Sequence, residues 1–169
     1  MPPIPHGGIT MYQLGSRSLA NLKGVHPRLV QVVQLAITLS AQDFTVLEGV
    51  RSLAAQKANV AKGSSQTMDS KHLVQGDGYG HAVDLAAWVN GKVAWDPWER
   101  YDVIADAMRR AAIQLGVQIR WGGGWFNLNQ LASPAQILAA RQAYTAERKR
   151  AGRKAFLDGP HFELQAVAR

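Results

Sequence analysis

The chain has 169 residues, of which 47% are hydrophobic and 18% charged. That length and balance fit one globular unit with a hydrophobic core and exclude a disordered chain. There is no cysteine. This excludes disulfides, a cysteine nucleophile and any thiolate metal site, so a metal would have to sit on His, Asp or Glu. The formal net charge of +7 fits plain solubility or an acidic partner, and charge alone does not choose between them.

The first residues, Met-Pro-Pro-Ile-Pro-His-Gly-Gly, hold no basic n-region and no apolar h-region, so no secretory signal is expected. No stretch reaches the roughly 18–20 apolar residues of a membrane span. The expected product is a soluble chain made in the cytoplasm.

Residues 1–15 are rich in Pro and Gly and read as extended. Over residues 27–40, Leu29, Val32, Val33, Ala36, Ile37 and Leu39 recur at helical spacing, with Pro27 suited to the first turn. Residues 43–50 read as a strand, and Ser52 as the cap of a short helix ending near Gly63. The polar, Gly-rich residues 64–80 read as a loop. Residues 81–89 alternate as a strand, Asn90-Gly91 signals a hairpin, and residues 92–95 read as the return strand. Asp96-Pro97 is expected to cap a long helix carrying Tyr101, Ile104, Ala105, Met108, Ala111, Ala112 and Leu115, which Gly116 ends. Residues 117–121 read as a strand. Ser133-Pro134 opens a helix to about residue 151, with a basic end in Arg148, Lys149, Arg150, Arg153 and Lys154. Residues 161–164 read as the last strand. Helices mixed with antiparallel strands, without an internal repeat, predict an α+β fold: a small antiparallel sheet flanked by helices, in a single domain over residues 1–169.

Five histidines are present: His6, His26, His72, His81 and His161. Most histidines are structural or solvated, so chemical context decides among them. His161 follows Asp158-Gly159-Pro160, a tight turn that sets Asp158 near His161. An Asp beside a metal-bound His can take a proton from water. A plain surface turn before an edge strand fits the spacing equally well. On the strand 81–89, Ala82, Asp84, Ala86 and Trp88 share one face, and His81, Val83, Leu85, Ala87 and Val89 the other. The second face is nearly all apolar and is expected on the core. Asp84 then points to the opposite face, and His81 points away from Asp84. Two His and one Asp, with one position left for water, is a catalytic zinc arrangement.

In order and spacing, Ser70-x-His72, Gly80-x-Ala82-x-Asp84 and Asp158-x-x-His161 resemble the zinc signature of the D-alanyl-D-alanine-type metallopeptidases. That superfamily includes D-Ala-D-Ala carboxypeptidases and dipeptidases, L-alanyl-D-glutamate phage endolysins and the hedgehog signalling domain. The similarity runs from about residue 14 to residue 164 and takes in Asp43-Phe44-Thr45-Val46, Gly49-Val50-Arg51 and Arg120-Trp121-Gly122-Gly123. The resemblance implies Zn2+ on His72, Asp84 and His161, with Asp158 as catalytic acid/base. It implies Arg51 as a substrate contact that stabilises the developing oxyanion or binds a substrate carboxylate. Ser70 and Trp121 are expected at the substrate. Dipeptidase-like members carry Glu where this chain has Asp158, and the endolysin branch carries Asp, which favours an L-alanyl-D-glutamate cut. The chain departs from the pattern in two places. Residues 73–79 lengthen the gap between His72 and Gly80, which a Gly-rich loop can absorb, and leave His81 as the fallback ligand. The segment at about 131–154 resembles a helical insertion beside the smaller endolysins.

The expected activity is zinc-dependent hydrolysis of the L-alanyl-D-glutamate bond of peptidoglycan stem peptides, for host lysis by a phage. The protein is expected to act as a monomer on the cell wall after holin release. The runner-up is a D-Ala-D-Ala carboxypeptidase with the same site. From another class, a basic zinc-bearing binding module without catalysis is the alternative. No helix-turn-helix and no basic stripe interleaved with aromatics supports nucleic-acid binding. The segment from Arg148 to Lys154 reads as a solvated helix end or as a dock for an anionic envelope surface. Tyr79, Trp88, Trp121 and Trp125 line the cleft or pack in the core. Glu163 shares a strand face with His161 and reads more readily as a solvated charge than as the partner of a ligand.

Overall fold

The apolar stripes of two helices meet the apolar face of one antiparallel sheet. A computed structural model describes residues 11–166. In chain order it holds α1 (Ser16–Asn21), α2 (Pro27–Leu39), β1 (Phe44–Glu48), α3 (Leu53–Lys62), β2 (Ala82–Val89), β3 (Lys92–Val93) and α4 (Glu99–Leu115). Then follow β4 (Ile119–Trp121), β5 (Phe126–Asn127), a 3-10 turn at Leu128–Gln130, α5 (Pro134–Arg150) and β6 (His161–Leu164). The fold is α+β, as the alternation of helical and strand periodicities predicts.

The strand order is β1-β2-β6-β4-β5, with β3 paired to β2, and the pairings are antiparallel. Val83, Leu85 and Ala87 of β2 join Phe44, Val46, Ile119, Trp121 and Phe162 on one face, packed with α2 and α4. From α2 come Leu29, Val32, Val33 and Ala36, and from α4 Ile104, Met108 and Ala112, all fully buried. Truncating a residue such as Leu29 to Ala would cost about 2–5 kcal/mol.

Local signals place several ends. The Ser52 side chain accepts from the Ala55 N–H at the start of α3, and Gly63 closes that helix at φ +79°. Gly116 closes α4 at φ +67°. Both glycines take the left-handed conformation that suits a residue without Cβ. Ser133 caps α5 through Gln136 N.

Other expectations are corrected. Asp96 does not cap α4: the helix starts at Glu99 with Trp98 as its cap residue and no side-chain cap bond. The chain turns there through the backbone bonds Arg100 N to Pro97 O and Tyr101 N to Trp98 O, and Arg100 Nε donates to Asp96 O at 3.1 Å. The return strand ends at Val93 and does not reach residue 95. Helix α1 and strand β5 are absent from the sequence reading because one is short and polar, with only Ser18 buried, and the other has two residues. Residues 11–15 have no regular structure, and residues 1–10, with His6, lie outside the described residues.

Candidate active site

The sheet face turned away from the core carries the site. In the register of β2 and β6, Asp84 stands directly opposite His161, and Glu48 of β1 flanks Asp84 from the other side. Directly opposed residues share a face, so Asp84 and His161 converge as the alternation of β2 predicts. His72 comes from the loop before β2. Its backbone is tied down by Arg51 N to His72 O at 2.9 Å, and the neighbouring Lys71 O accepts from His81 N at 2.7 Å. The lengthened segment folds back on itself, with Gln75 N donating to Tyr79 O at 2.8 Å. It forms an excursion with closed ends, so His72 keeps its place.

His72 Nε2 lies 3.2 Å and His161 Nδ1 3.4 Å from the same Asp84 oxygen. Ligand atoms of His72, Asp84 and His161 all lie within 4.8 Å of one another, so the three could hold a metal ion. The ring nitrogens that face away are each occupied. His72 Nδ1 is 2.8 Å from Gly49 O, to which only an N–H can be donated. His161 Nε2 is 2.8 Å from Glu163 Oε1. Without a metal, His72 Nε2 and His161 Nδ1 face Asp84 as hydrogen-bond donors. With the far nitrogens held by Gly49 O and Glu163, these near nitrogens are the ones that would give up their protons to a metal, the arrangement a metal-ligating histidine needs. The donor set of two imidazoles and a carboxylate suits zinc. His81, the fallback ligand, turns to the other side of β2 and bonds Asp77 Oδ2 at 2.7 Å.

Burial alone would raise the Asp84 pKa, but hydrogen bonds from His161 and His72 outweigh it and hold the carboxyl well below the usual range. Burial alone would lower His161, but its bonds to Asp84 and Glu163 push it up to about 9. Asp158 sits at the turn before β6. Desolvation and then the charge of Asp84 raise its pKa, against His161, His72 and Arg51. A carboxyl shifted upward in a cleft is suited to taking and returning a proton. The turn is held against β4 by Asp158 N to Gly122 O at 2.8 Å and Gly122 N to His161 O at 2.9 Å. A Cβ on Gly122 would fall 2.4 Å from Asp158 O, so only glycine allows this approach.

These residues line a cleft of about 660 Å³ that also takes in Arg51, Ser70, Lys71, Arg120, Trp125 and Phe156. Arg51 donates through Nε and Nη2 to the two oxygens of Glu48 and through Nη1 to Gln56 at 2.6 Å. Its Nη2 is 3.8 Å from Asp84 Oδ2. Ser70 is buried, and its hydroxyl accepts from His72 N at 3.2 Å.

Trp121 is not at the cleft. It is fully buried, pairs with Phe162 across β4 and β6, and donates from Nε1 to Gly159 O at 2.7 Å. The alternation Ile119–Arg120–Trp121 carried that signal: Trp121 faces the core with Ile119, and Arg120 faces the site. Of the other aromatics, Trp125 reaches the cleft, while Tyr79 and Trp88 are exposed elsewhere. Glu163 is no solvated charge: it is 7% exposed and bonded to His161. Gln56 was missed. It is fully buried, holds Arg51, and donates to Ser65 Oγ and Thr67 O, tying the 64–69 loop to the arginine. A lone Gln in a short Ala-rich helix carries no periodic sign of this.

The model of the phage L-alanyl-D-glutamate peptidase family matches residues 10–165. An L-alanyl-D-glutamate peptidase from Escherichia phage T5 is 34% identical over 117 residues, which are 68% of this chain and 82% of that protein. The crystal structure of the L-Ala D-Glu endopeptidase ChiX from Serratia marcescens superposes with a TM-score of 0.68 at 39% identity, covering 94% of each chain.

Proposed function

The chain belongs to the phage L-alanyl-D-glutamate peptidase family, and from that premise we propose how its cleft cuts peptidoglycan. It is a peptidoglycan endopeptidase acting on the bond between L-alanine and D-glutamate. The observation that carries the reading is the convergence of His72, Asp84 and His161 beside a buried Asp158. His72 through Nε2, Asp84 through a carboxylate oxygen and His161 through Nδ1 would hold zinc. Zinc, when bound, lowers the pKa of water to about 7 and polarises a scissile carbonyl.

The chain's own residues do the rest. Asp158 takes the proton of the attacking water and returns it to the leaving amine; its raised pKa places the exchange nearer neutral pH. Arg51, fixed by Glu48 and Gln56, brings positive charge to the Asp84 side of the cleft, where it stabilises the developing oxyanion. Glu163 and Gly49 O set the two imidazoles, so neither ring has to reorient. No helix among the described residues is long and apolar enough to cross a membrane. In this reading the protein serves host lysis by a phage, as a monomer that meets the wall after holin release. The α5 segment is an addition to the smaller endolysin unit, and its basic end from Arg148 to Lys154 docks on anionic envelope.

The test is digestion of purified peptidoglycan by wild type and Asp158→Ala, with mass spectrometry of the products and a chelated sample restored with zinc. New L-alanine C-termini and D-glutamate N-termini, dependent on metal and absent in the variant, are expected. Release of free D-alanine alone would move the cut to a carboxypeptidase. No product at all would leave a binding module.

A further inference from the structure

The cleft contains more positive charge than the metal ligands and Asp158 use. Arg51 is committed: three of its N–H groups bond Glu48 and Gln56. Arg120 and Lys71 line the same cleft on the Glu163 side. Among the described residues, the Lys71 side chain has no hydrogen bond or ion pair, and Arg120 Nη2 has no partner. Arg120 itself is aimed. It stands across the sheet from Glu163, on the site face of β4. Its guanidinium lies over the Trp125 ring, 5.2 Å from the centroid. Nε donates to Trp125 O at 3.3 Å, and Nη1 is 3.9 Å from Glu163 Oε2. The side chain is still 39% exposed.

Trp125 is in turn built to carry it. It has φ +59°, a left-handed conformation that bulky residues rarely take. The indole is held there by Nε1 donating to Phe156 O at 2.8 Å and by stacking on Phe156 at 8° between planes. One face of the ring is thus given to Phe156, and Arg120 stands over the indole as well. Backbone strain retained beside a reaction centre points to a functional constraint. A guanidinium held over an aromatic ring at the edge of a cleft, with Nη2 left for a ligand, is a receptor for a carboxylate.

The substrate class supplies one. A glutamyl residue has two carboxyls, and whichever one continues the chain, the other is free within a few bonds of the scissile amide. We propose that Arg120, seated on Trp125 and assisted by Lys71, binds the free carboxylate of the D-glutamyl residue and makes that carboxylate a determinant of specificity. The proposal rests on the peptidase reading above. It gives the carboxylate-binding role to Arg120 and leaves Arg51 facing the reacting carbonyl.

Two soluble stem peptides test it, identical except that the free glutamyl carboxylate is kept in one and converted to a primary amide in the other. For the wild type, kcat/KM on the carboxylate peptide should exceed that on the amide by about 10- to 100-fold, the range of one charge-assisted bond. Arg120→Gln should bring the ratio to within about twofold. Arg120→Lys should recover part of it, because it restores charge without the fork. Lys71→Gln should reduce the ratio less than Arg120→Gln does. A wild type that cuts both peptides equally, or an Arg120→Gln that keeps the wild-type ratio, overturns the subsite and leaves the peptidase reading standing. A wild type that cuts neither peptide overturns both.

Discussion

Two His–Asp–His groups lie among the described residues, and they differ in almost everything but composition. His72, Asp84 and His161 sit in the cleft, with side chains 2%, 18% and 10% exposed. His26, Asp77 and His81 sit outside it, at 28%, 41% and 24%. The outer group has the shorter single contact, His81 to Asp77 at 2.7 Å, but His26 stands 3.8 Å from the same carboxylate. The other nitrogen of His26 is spent on Arg28 N at the start of α2. Only the inner group brings three ligand atoms together among the described residues. Residue type and one short contact are therefore not enough for a metal site. Its histidines must each have the far nitrogen tied to an acceptor, so that the near one offers a lone pair, and water must be kept from competing.

The largest test of this contrast exchanges one Asp in each region. Asp158→Ala should lower kcat on a soluble stem peptide by about 10²- to 10⁴-fold, the share of a general acid/base. Asp77→Ala in the outer group should change it by less than about twofold, as an exposed substitution does. Comparable losses from both would erase the distinction. Next in size, Glu163→Ala removes the acceptor behind His161 and should cost about 10- to 100-fold in metal affinity, read by titration against a competing chelator. An unchanged affinity would mean that Glu163 does not orient the ring.

A pH series sharpens the same contrast. In metal-free protein His161 has a pKa near 9, above its ordinary 6.5, because bonds to Asp84 and Glu163 overcome burial. The protonated form is favoured by folding, so this contribution is complete below about pH 6.5 and is lost as pH rises through about 9. The Tm of chelated protein should fall across that interval, and added zinc, which needs the neutral ring, should remove the trend. A flat profile without metal would contradict it. The smallest effect is expected far from both groups. Gln at Arg148, Lys149 and Arg150 should weaken binding to isolated wall while leaving hydrolysis of the soluble peptide intact, and equal losses in both assays would rule out docking.

Much of the site was legible because strands and turns have short periods. The apolar alternation of Val83, Leu85 and Ala87 put Asp84 on the open face and turned His81 away. Gly159-Pro160 set Asp158 beside His161, and Ser52, Gly63, Gly116 and Ser133 marked helix ends. The same rule misled at Glu163, because sharing a face with His161 says nothing about how deeply that face is covered. There Arg120 and Ala82, opposite it on the two neighbouring strands, close around it. At Trp121 the same alternation decides for the core, because Ile119 and Trp121 share the buried face, although the neighbouring Gly-rich turn and the family resemblance suggest a substrate contact.

By itself, then, the sequence determined the faces: which residues turn to the core, where helices stop, and which ligand types are available in a chain without cysteine. The partners come from contacts between segments far apart in the chain. Gly49 O reaches His72, Gln56 reaches Arg51, Gly122 admits the Asp158 turn, and Trp125 carries Arg120. The reason is physical. Periodicity is a property of a few consecutive residues, whereas a hydrogen bond between distant segments depends on the register and packing of every element that brings them together.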